Sequence, residues 1–304
     1  MSTSPSPSIA LRLIQTWDEY LAAEELQRVV WQMPDWRDVV PANLMITVQK
    51  NSGIVLGAFD GARLVGLAFS FIGIDRHFEP PITKQCSHML AVLPDYQSLK
   101  IGLQLKFRQR EIALAQGIPL MTWTYDPLLA LNANLNLARL GAIARHYVEN
   151  AYGEMTDGLN AGLASDRFEV EWWLNAPLVD ARATGPAATE NWESLLARGA
   201  TQAFVISRDE RQLPHIESET FLPGAGARDE NWLVEIPADL AAVKLASPAL
   251  AVEWRMRTRS LFKRAFAAGY AATGFVFSRQ GEFPRAGYLL TRDPVETGCL
   301  AAGA

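Results

Sequence analysis

The stretch AVLPDYQSLKIGLQLKFRQREIALAQG (residues 91–117) changes from a buried strand to an amphipathic helix, and the turn QSLKIG (97–102) joins the two. A helix that starts directly after a strand leaves its first N–H groups without intrahelical partners, at the positive end of the helix dipole. The spacing therefore predicts a binding site for a phosphate ester. An ordinary strand-to-helix connection is the alternative interpretation.

The composition is that of an ordinary globular protein. The chain has 304 residues, of which 49% are hydrophobic and 20% are charged. A net charge of −5 argues against nucleic acid as a partner, and no apolar run approaches the roughly 20 residues that cross a membrane. The segment MSTSPSPS lacks the pattern of a secretory signal, and there are only two cysteines, Cys86 and Cys299. The expectation is a cytoplasmic protein without a disulfide framework or a metal site.

Hydrophobic patterning predicts the element order β-α-β-β-β-α-β-α-β-β over residues 9–175. Thr16 and Glu19 have the spacing of a capping box, and the pair Asp60-Gly61 predicts a tight hairpin turn. The fourth and fifth strands are predicted at 86–92 and 120–126, and a short helix at about 128–140. In the helix that begins near residue 101, Lys106, Arg108 and Arg110 are expected to face water.

The composition changes near residue 176, where APLVDARATGPAATEN is typical of a surface linker. We therefore predict a disordered tail (1–8), a first domain (9–176) and a smaller α+β domain (177–304). The second domain is expected to contain a closing hairpin from YAATGFVF and RAGYLL. Arg255, Arg257 and Arg259 are expected on the solvated face of its long helix.

The stretch LAVLPDYQSLKIG (90–102) resembles the coenzyme A motif of the GNAT superfamily of N-acyltransferases. In that motif a strand with a Val-x-Pro end runs into Gln/Arg-x-x-Gly-x-Gly/Ala. The element order and the Asp-Gly hairpin agree with the family over about residues 9–175. Lys100 stands where the family usually has glycine. The resemblance implies an α+β, mixed-sheet GNAT-like acyl-CoA N-acyltransferase fold with acetyl-CoA or another acyl-CoA as cosubstrate, and no metal.

A narrower resemblance lies in WTYDPLLALNANLNLARLGAIARHYVENAYG (123–153) and LNAGLASDRFEVEWW (159–173). Both are similar to a GNAT subfamily of predicted acetyltransferases with an extra C-terminal region, some of which are associated with N-acylation of amino acids, including N-succinylation. The implied reaction is transfer of an acetyl or succinyl group to a primary amine of a small molecule. The alternative is a noncatalytic acyl-CoA-binding or interaction protein. A homodimer stays open.

The resemblance also implies which residues bind coenzyme A. The fourth and fifth strands separate, and backbone groups of Leu90 and Val92 pair with the pantetheine arm. Asn132 and Asn136 are four residues apart, so they are expected on one helix face, where they hydrogen-bond the arm or orient water. The pyrophosphate is held by the amides of Gln97, Ser98, Leu99, Lys100, Ile101, Gly102 and Leu103.

Three side chains are candidates for proton transfer. His88 is the first choice for the base, because it shares strand parity with Leu90 and Val92 and titrates near neutral pH. Asp126 is a second candidate, and a chain of water molecules is an alternative. In that family the general acid is often a tyrosine at the position where this chain has Leu137. Tyr147 is a candidate to replace it as the general acid. The opposing interpretations are a structural histidine at 88 and an Asp-Pro turn at 126.

Overall fold

The structure is a computed structural model that describes residues 8–33, 35–153, 162–185, 190–222, 231–279 and 283–292. The chain divides into two compact units, Met1–Trp123 and Thr124–Ala304. This division differs from the boundary predicted at residue 176, and residues 177–184 of the expected linker form a helix. Residues 1–7 of the expected tail lie outside the described residues. No helix in the described ranges is long and apolar enough to cross a membrane.

The first unit is a five-stranded mixed sheet with helices on both faces. The strand order is β1-β2-β3-β4-β5, and every neighbouring pair is antiparallel except the parallel pair β4–β5. The last strand begins in the first unit and ends in the second. The elements are β1 (Ile9–Leu13), α1 (Trp17–Trp31), α2 (Ala42–Lys50), β2 (Ile54–Asp60), β3 (Arg63–Asp75), β4 (Ile82–Val92), α3 (Ile101–Ala115) and β5 (Leu120–Tyr125).

The local signals in this unit are confirmed. The Thr16 hydroxyl accepts a hydrogen bond from the Glu19 amide, and the Glu19 carboxylate accepts one from the Thr16 amide, which completes the capping box at the start of α1. Asp60 pairs with Arg63 across a two-residue turn in which Gly61 has a φ of 58°. These features are set by neighbours in the sequence.

Helix α2 is absent from the predicted element order. Its run Ile46-Thr47-Val48 is β-branched, and this favours a strand over a helix. Tertiary contacts nevertheless favour the helix. Met45 is fully buried, and the Glu24 carboxylate of α1 accepts a hydrogen bond from the Ala42 amide at the start of α2. The helix therefore forms on the surface that α1 provides.

The two faces of the first sheet carry different helices. One face buries a core with α1 and α2, formed by Ile14, Tyr20, Ala23, Leu26, Met45, Val55, Leu67, Phe69 and Ala91. On the other face α3 approaches closely at Gly66, where an added Cβ would lie 3.1 Å from Ile101 and 3.2 Å from Leu105. This close approach fixes the start of α3 beside the end of β4.

The second unit contains a further mixed sheet, with the strand order β7-β6-β12-β13-β11-β8, and a separate hairpin of β9 and β10. The predicted mixed α/β class and the predicted β12–β13 hairpin are confirmed. The elements are α4 (Ala130–Ala133), β6 (Ile143–Val148), β7 (Arg167–Trp173), α5 (Pro177–Thr184), α6 (Trp192–Ala197), β8 (Thr201–Gln202), β9 (Phe204–Arg208), β10 (Pro214–Glu219), β11 (Trp232–Ile236), α7 (Leu240–Ala246), α8 (Pro248–Ala267), β12 (Tyr270–Ser278) and β13 (Arg285–Arg292).

The capping box of α1 gives a pH-dependent test of the fold. Hydrogen bonds from Arg12 and from the amides of Gln15 and Thr16 lower the pKa of Glu19 from 4.5 to about 2. A carboxyl group with a lowered pKa stabilises the fold fully above its unfolded pKa, and the contribution is lost as the pH falls towards the folded pKa. We expect Glu19→Gln to lower the free energy of unfolding at pH 7 by about 1 kcal/mol, discounted for the partial exposure of Arg12.

Denaturant unfolding at pH 7 and pH 4 measures this effect, and the difference between wild type and variant should be smaller at pH 4. The matched control is Glu25→Gln, which removes an exposed ion pair of the same helix and should cost less than about 0.5 kcal/mol. An equal loss for Glu19→Gln at both pH values would contradict the assignment.

Candidate functional site

The turn between β4 and α3 ends at Lys100, whose backbone has the left-handed helical conformation. Residues 94–99 form a short 3₁₀ turn, and Lys100 follows with a φ of 59° and a ψ of 24°. A side chain is strained at this backbone conformation, whereas glycine adopts it at no steric cost. Lys100 therefore holds the conformation that suits the glycine usual at this position of the motif.

The first amides of α3 point out of the helix start. The first intrahelical hydrogen bond runs from the Gln104 amide to the Lys100 carbonyl at 3.2 Å, so the N–H groups of Ile101, Gly102 and Leu103 have no partner within the helix. Lys100 contributes no side-chain cap. Because α3 has 15 residues, its dipole adds a positive potential at these amides. The arrangement suits a phosphate group.

Gly102 leaves space beside these amides. A Cβ at this position would lie 3.7 Å from Leu90 Cδ2 and 3.9 Å from Val92 Cγ2, which are ordinary contact distances. The packing of the protein therefore does not require glycine here. The β4 residues predicted to pair with the pantetheine arm lie beside the α3 amides predicted to bind the pyrophosphate, with the Leu90 and Val92 side chains facing the start of the helix.

Two side-chain hydrogen bonds of the described residues join the turn to the neighbouring strands. The Tyr96 hydroxyl donates to Asp60 Oδ2 at 2.8 Å, and Gln97 Nε2 donates to the Val92 carbonyl at 3.3 Å. Gln97, Ser98, Leu99 and Lys100 are exposed. These contacts tie the turn to the β2–β3 hairpin and to the end of β4, so the amides at the start of α3 have a fixed position.

The predicted separation of the fourth and fifth strands is confirmed. β4 and β5 pair at Lys84 with Leu120, at Gln85 with Met121 and at Cys86 with Thr122. The register would next join Ser87 to Trp123, and this pair is missing from the ladder of the described residues. β4 nevertheless continues to Val92, so its edge beyond Cys86 has no described pairing with β5. We call the region beyond the Cys86–Thr122 pair the slot.

His88 is a β-bulge at the start of the slot. Phe69 of β3 pairs with Met89 and Ser70 pairs with Ser87, so His88 is the extra residue on β4. A bulge changes the face to which the following side chains point.

His88 was expected to face the same side of the sheet as Leu90 and Val92, and this is wrong. Its imidazole lies against Phe69 and Phe71, with ring centroids 6.0 and 6.2 Å away, on the sheet face that α1 and α2 cover. Leu90 and Val92 instead face α3. The bulge reverses the alternation between 88 and 90, and the sequence gives no local sign of it. The catalytic role of His88 stays a prediction.

The surroundings of His88 favour its neutral form. Partial burial against the two phenylalanine rings lowers the pKa of His88 below its ordinary 6.5. The imidazole is exposed enough to reach solvent and is neutral at pH 7. It can therefore accept a proton near neutral pH.

Lys106 was expected to face water, and this is wrong. It is only 2% exposed, and its ammonium lies 3.8 Å from the centroid of the Trp123 ring. The buried stripe of α3 passes through Ile101, Leu105, Lys106, Gln109 and Ala113. The expectation that Lys106 faces water followed from the apolar residues of the helix alone. The spacing of Lys106 and Gln109 from Leu105 and Ala113 is the signal that would have placed them inside.

Asp126 lies in the second unit as part of a buried ion pair. Its Oδ2 accepts a hydrogen bond from Arg255 Nη2 at 2.5 Å, and its Oδ1 accepts one from the Leu128 amide at 2.8 Å. Both carboxylate oxygens therefore have partners, as the turn interpretation of Asp-Pro requires. The role of Asp126 as a base is not tested by these contacts.

Tyr147 also lies in the second unit, bonded to a buried carboxylate. Its hydroxyl donates to Asp166 Oδ2 at 2.5 Å, and Arg259 binds both oxygens of Asp166 at 2.8 Å. Burial and the bond to Asp166 raise the pKa of Tyr147 well above 10. This makes Tyr147 a weaker acid than an exposed tyrosine, and its predicted role stays a prediction.

Two of the three alternating arginines of α8, Arg255 and Arg259, do not lie on a solvated face. Arg255 is 1% exposed, and its Nε and Nη1 are buried without a hydrogen-bond partner in the described ranges. Arg259 is partly buried in its pair with Asp166. Alternate arginines on a helix suggest a surface, but the charges that face α8 come from distant parts of the chain, so the pattern could not reveal them.

Asn132 and Asn136 do not share one helix face. Asn132 is exposed, whereas Asn136 is 5% exposed. After α4 the chain continues as a π-helical turn (134–139), in which the Leu140 amide donates to the Leu135 carbonyl. The wider turn removes the alignment of residues four apart. Their predicted contact with the pantetheine arm is not tested.

Comparison with known proteins gives a likeness of fold alone. No protein-family model and no curated protein matches the chain. The ribosomal-protein-S18-alanine N-acetyltransferase from Escherichia coli is 15% identical, with 54% of this chain and 92% of that chain covered and a TM-score of 0.43. An acetyltransferase of the GNAT family from Streptococcus pneumoniae is 18% identical, with 54% and 98% covered and a TM-score of 0.43.

Aminoglycoside 6'-acetyltransferase type Ii is a third similar structure, at 16% identity, with 54% and 97% of the two chains covered and a TM-score of 0.41. Each of these three matches covers about half of this chain. At this identity and these TM-scores, the likeness carries no conclusion about activity.

Gly102→Glu tests the phosphate site. The added carboxylate would lie beside the amides of Ile101 and Leu103, and repulsion of about 3 kcal/mol should weaken coenzyme A binding about 100-fold. The fold should be kept, because the Cβ meets nothing closer than 3.7 Å. Calorimetric titration measures the affinity. The matched control is Gln104→Glu, an exposed site with the same change of charge, which should weaken binding less than about fivefold. Equal affinity of Gly102→Glu and wild type would place the site elsewhere.

Lys100 tests the backbone conformation of the turn. Lys100→Gly should be more stable than Lys100→Ala by about 1 kcal/mol, because both lack the ammonium and only glycine is unstrained at a φ of 59°. At Gln104 the alanine variant should instead be more stable than the glycine variant, since alanine is favoured inside a helix by about 1 kcal/mol. Denaturant unfolding measures all four variants, and an equal preference at both positions would rule out the left-handed conformation.

Proposed function

We propose that the protein is an acyl-CoA-dependent N-acyltransferase that transfers an acetyl or succinyl group to a primary amine of a small molecule such as an amino acid. One observation carries the proposal: amides without intrahelical partners at the start of α3 lie beside a strand whose ladder to β5 stops at Cys86 and Thr122. A nucleotide-bearing thioester with an extended arm fits both features.

The binding step follows from the two edges of β4. One edge pairs with β3, where Leu90 faces Ala68 and Val92 faces Gly66. The other edge is open beyond Cys86, and an extended amide-containing arm can pair with it as an added strand. The pyrophosphate then reaches the amides of Ile101 and its neighbours. The protein needs few cations for this, because main-chain dipoles bind the phosphates.

The chemistry requires an amine, a base and a leaving thiolate. The acceptor amine attacks the thioester carbonyl directly, so no covalent enzyme intermediate forms. His88 takes the proton from the acceptor ammonium, directly or through water, because its imidazole is neutral near pH 7 and is exposed at the start of the slot. The product is an amide and free coenzyme A.

A noncatalytic acyl-CoA-binding protein is the second candidate. It is favoured by Leu137, an apolar and 1% exposed residue at the position where the resembled family often has its acid. The assay that separates the two uses purified protein, acetyl-CoA or succinyl-CoA, and a panel of primary amines including amino acids. Release of free thiol that depends on the amine supports the enzyme. Binding without turnover across the panel supports the second candidate, and no binding contradicts both.

The pH dependence tests His88. Because its pKa lies below 6.5, kcat/KM should fall as the pH drops through that pKa. We expect His88→Gln to lower kcat about 100-fold and to remove the acidic limb of the profile. His77→Gln is the control, because His77 is 85% exposed on the same unit and should leave the profile unchanged. An acidic limb that persists in His88→Gln would exclude this base.

A further inference from the structure

Lys106 lies at the closed end of the slot. Its Nζ donates to Ser87 Oγ at 3.0 Å and lies 3.8 Å from the centroid of the Trp123 ring. Ser87 and Trp123 are the two residues that the register of β4 and β5 would join next, at the first missing pair of the described ladder. A buried ammonium therefore bridges the strands at the point where they separate.

The position of Lys106 along the slot follows from the helix that carries it. α3 runs back along β4, so Gly102 lies beside Leu90 and Val92 while Lys106 lies beside Ser87. From Val92 to Ser87 the strand covers about 16 Å. A thioester carrier with its phosphates at Gly102 and its arm paired with β4 therefore points its reacting end towards Lys106.

The cluster around the ammonium contains a buried hydrogen-bond donor that has no partner among the described residues. Gln109 Oε1 accepts from Lys106 Nζ at 3.1 Å and from Ser87 Oγ at 3.4 Å. Gln109 Nε2 is buried and has no hydrogen-bond partner in the described part of the chain, and Gln109 itself is 0% exposed. An unsatisfied buried donor costs about 1–3 kcal/mol. An electron-rich atom of a ligand, such as a thioester sulfur or oxygen, would offset that cost.

We propose that Lys106 donates the proton that converts the leaving thiolate of coenzyme A to the free thiol, a role that rests on the proposed function. The amine lone pair forms the C–N bond, and the C–S bond breaks with its electron pair on sulfur. A proton moves from Lys106 Nζ to that sulfur and leaves a neutral amine, which regains a proton from solvent. The proton lost by the acceptor ammonium goes to His88 or to water.

The electrostatic surroundings support this role. Burial lowers the pKa of Lys106 from 10.5 to about 7, so the ammonium releases a proton readily at neutral pH. Its described contacts include four uncharged side chains: Ser87 from β4, Gln109 from α3, and Met121 and Trp123 from β5. His88, the next residue of β4, points to the opposite face of the sheet. An acid with a pKa near the working pH transfers protons most effectively.

Two substitutions separate the proton from the charge. Lys106→Met keeps the length of the side chain, and Lys106→Arg keeps the cation but does not release a proton at neutral pH. We expect both to lower kcat about 100-fold, with KM for acyl-CoA changed less than about threefold. Wild-type kcat should fall as the pH rises through about 7, and both variants should lose this limb. Lys50→Met makes the same change at an exposed site and should change neither quantity.

Two kinetic results would overturn the inference while the proposed function stands. If Lys106→Arg kept the kcat of the wild type, the positive charge at this position would matter and the transferred proton would not. Wild-type kcat in a folded Lys106→Met, with the basic limb retained, would exclude Lys106 altogether. Thermal unfolding of each variant verifies the fold.

The thiol of bound coenzyme A gives a readout without turnover. An adjacent cation lowers the pKa of a thiol, so the thiolate absorbance of bound coenzyme A should titrate at a pH about one unit lower in Lys106→Arg, whose guanidinium stays charged, than in Lys106→Met. An equal thiol pKa in the two proteins would mean that the sulfur is not beside Lys106, whether or not an acceptor amine has been found. Failure of coenzyme A to bind wild type would instead contradict the proposed function.

Discussion

The separation of β4 from β5 beyond Cys86 and Thr122 is the constraint on which the candidate site depends. A parallel ladder that continued to the strand ends would use the backbone groups of both strands and leave no opening. Two features of the described chain lie where the ladder stops: the bulge at His88, which bends β4, and the Lys106 ammonium between Ser87 and Trp123. Backbone groups beyond this point need another partner, because an unpaired buried peptide group is costly.

Helix α3 fixes both ends of the slot. Gly66 lets the helix lie close to the sheet, and the left-handed Lys100 turns the chain directly into the first helical residue. The amides at the helix start then lie beside Leu90, and the side chain of Lys106 lies beside Ser87. One rigid element thus sets the distance between a site suited to phosphate and a buried proton donor, independently of any loop.

The parts of the fold that the sequence predicted are those with local causes. The capping box, the Asp-Gly hairpin and the strand-to-helix turn depend on residues a few positions apart, and all three are observed. The errors have long-range causes. The bulge at His88 arises from pairing with β3, and the burial of Lys106 depends on contacts with β4 and β5. Arg255 is buried against Asp126, which is 129 positions away in the sequence. Hydrophobic patterning treats a lysine or an arginine as a surface residue, so the prediction missed both Lys106 and Arg255.

Hydrogen exchange at the main-chain amides of Ile101, Gly102 and Leu103 tests the central claim most directly, because these groups lack intrahelical partners without a ligand. The account predicts that saturating coenzyme A slows exchange at these three amides and along β4 from Ser87 to Val92, since each gains a hydrogen bond or loses contact with water. Unchanged exchange at the start of α3, with protection appearing at another part of the chain, would contradict it.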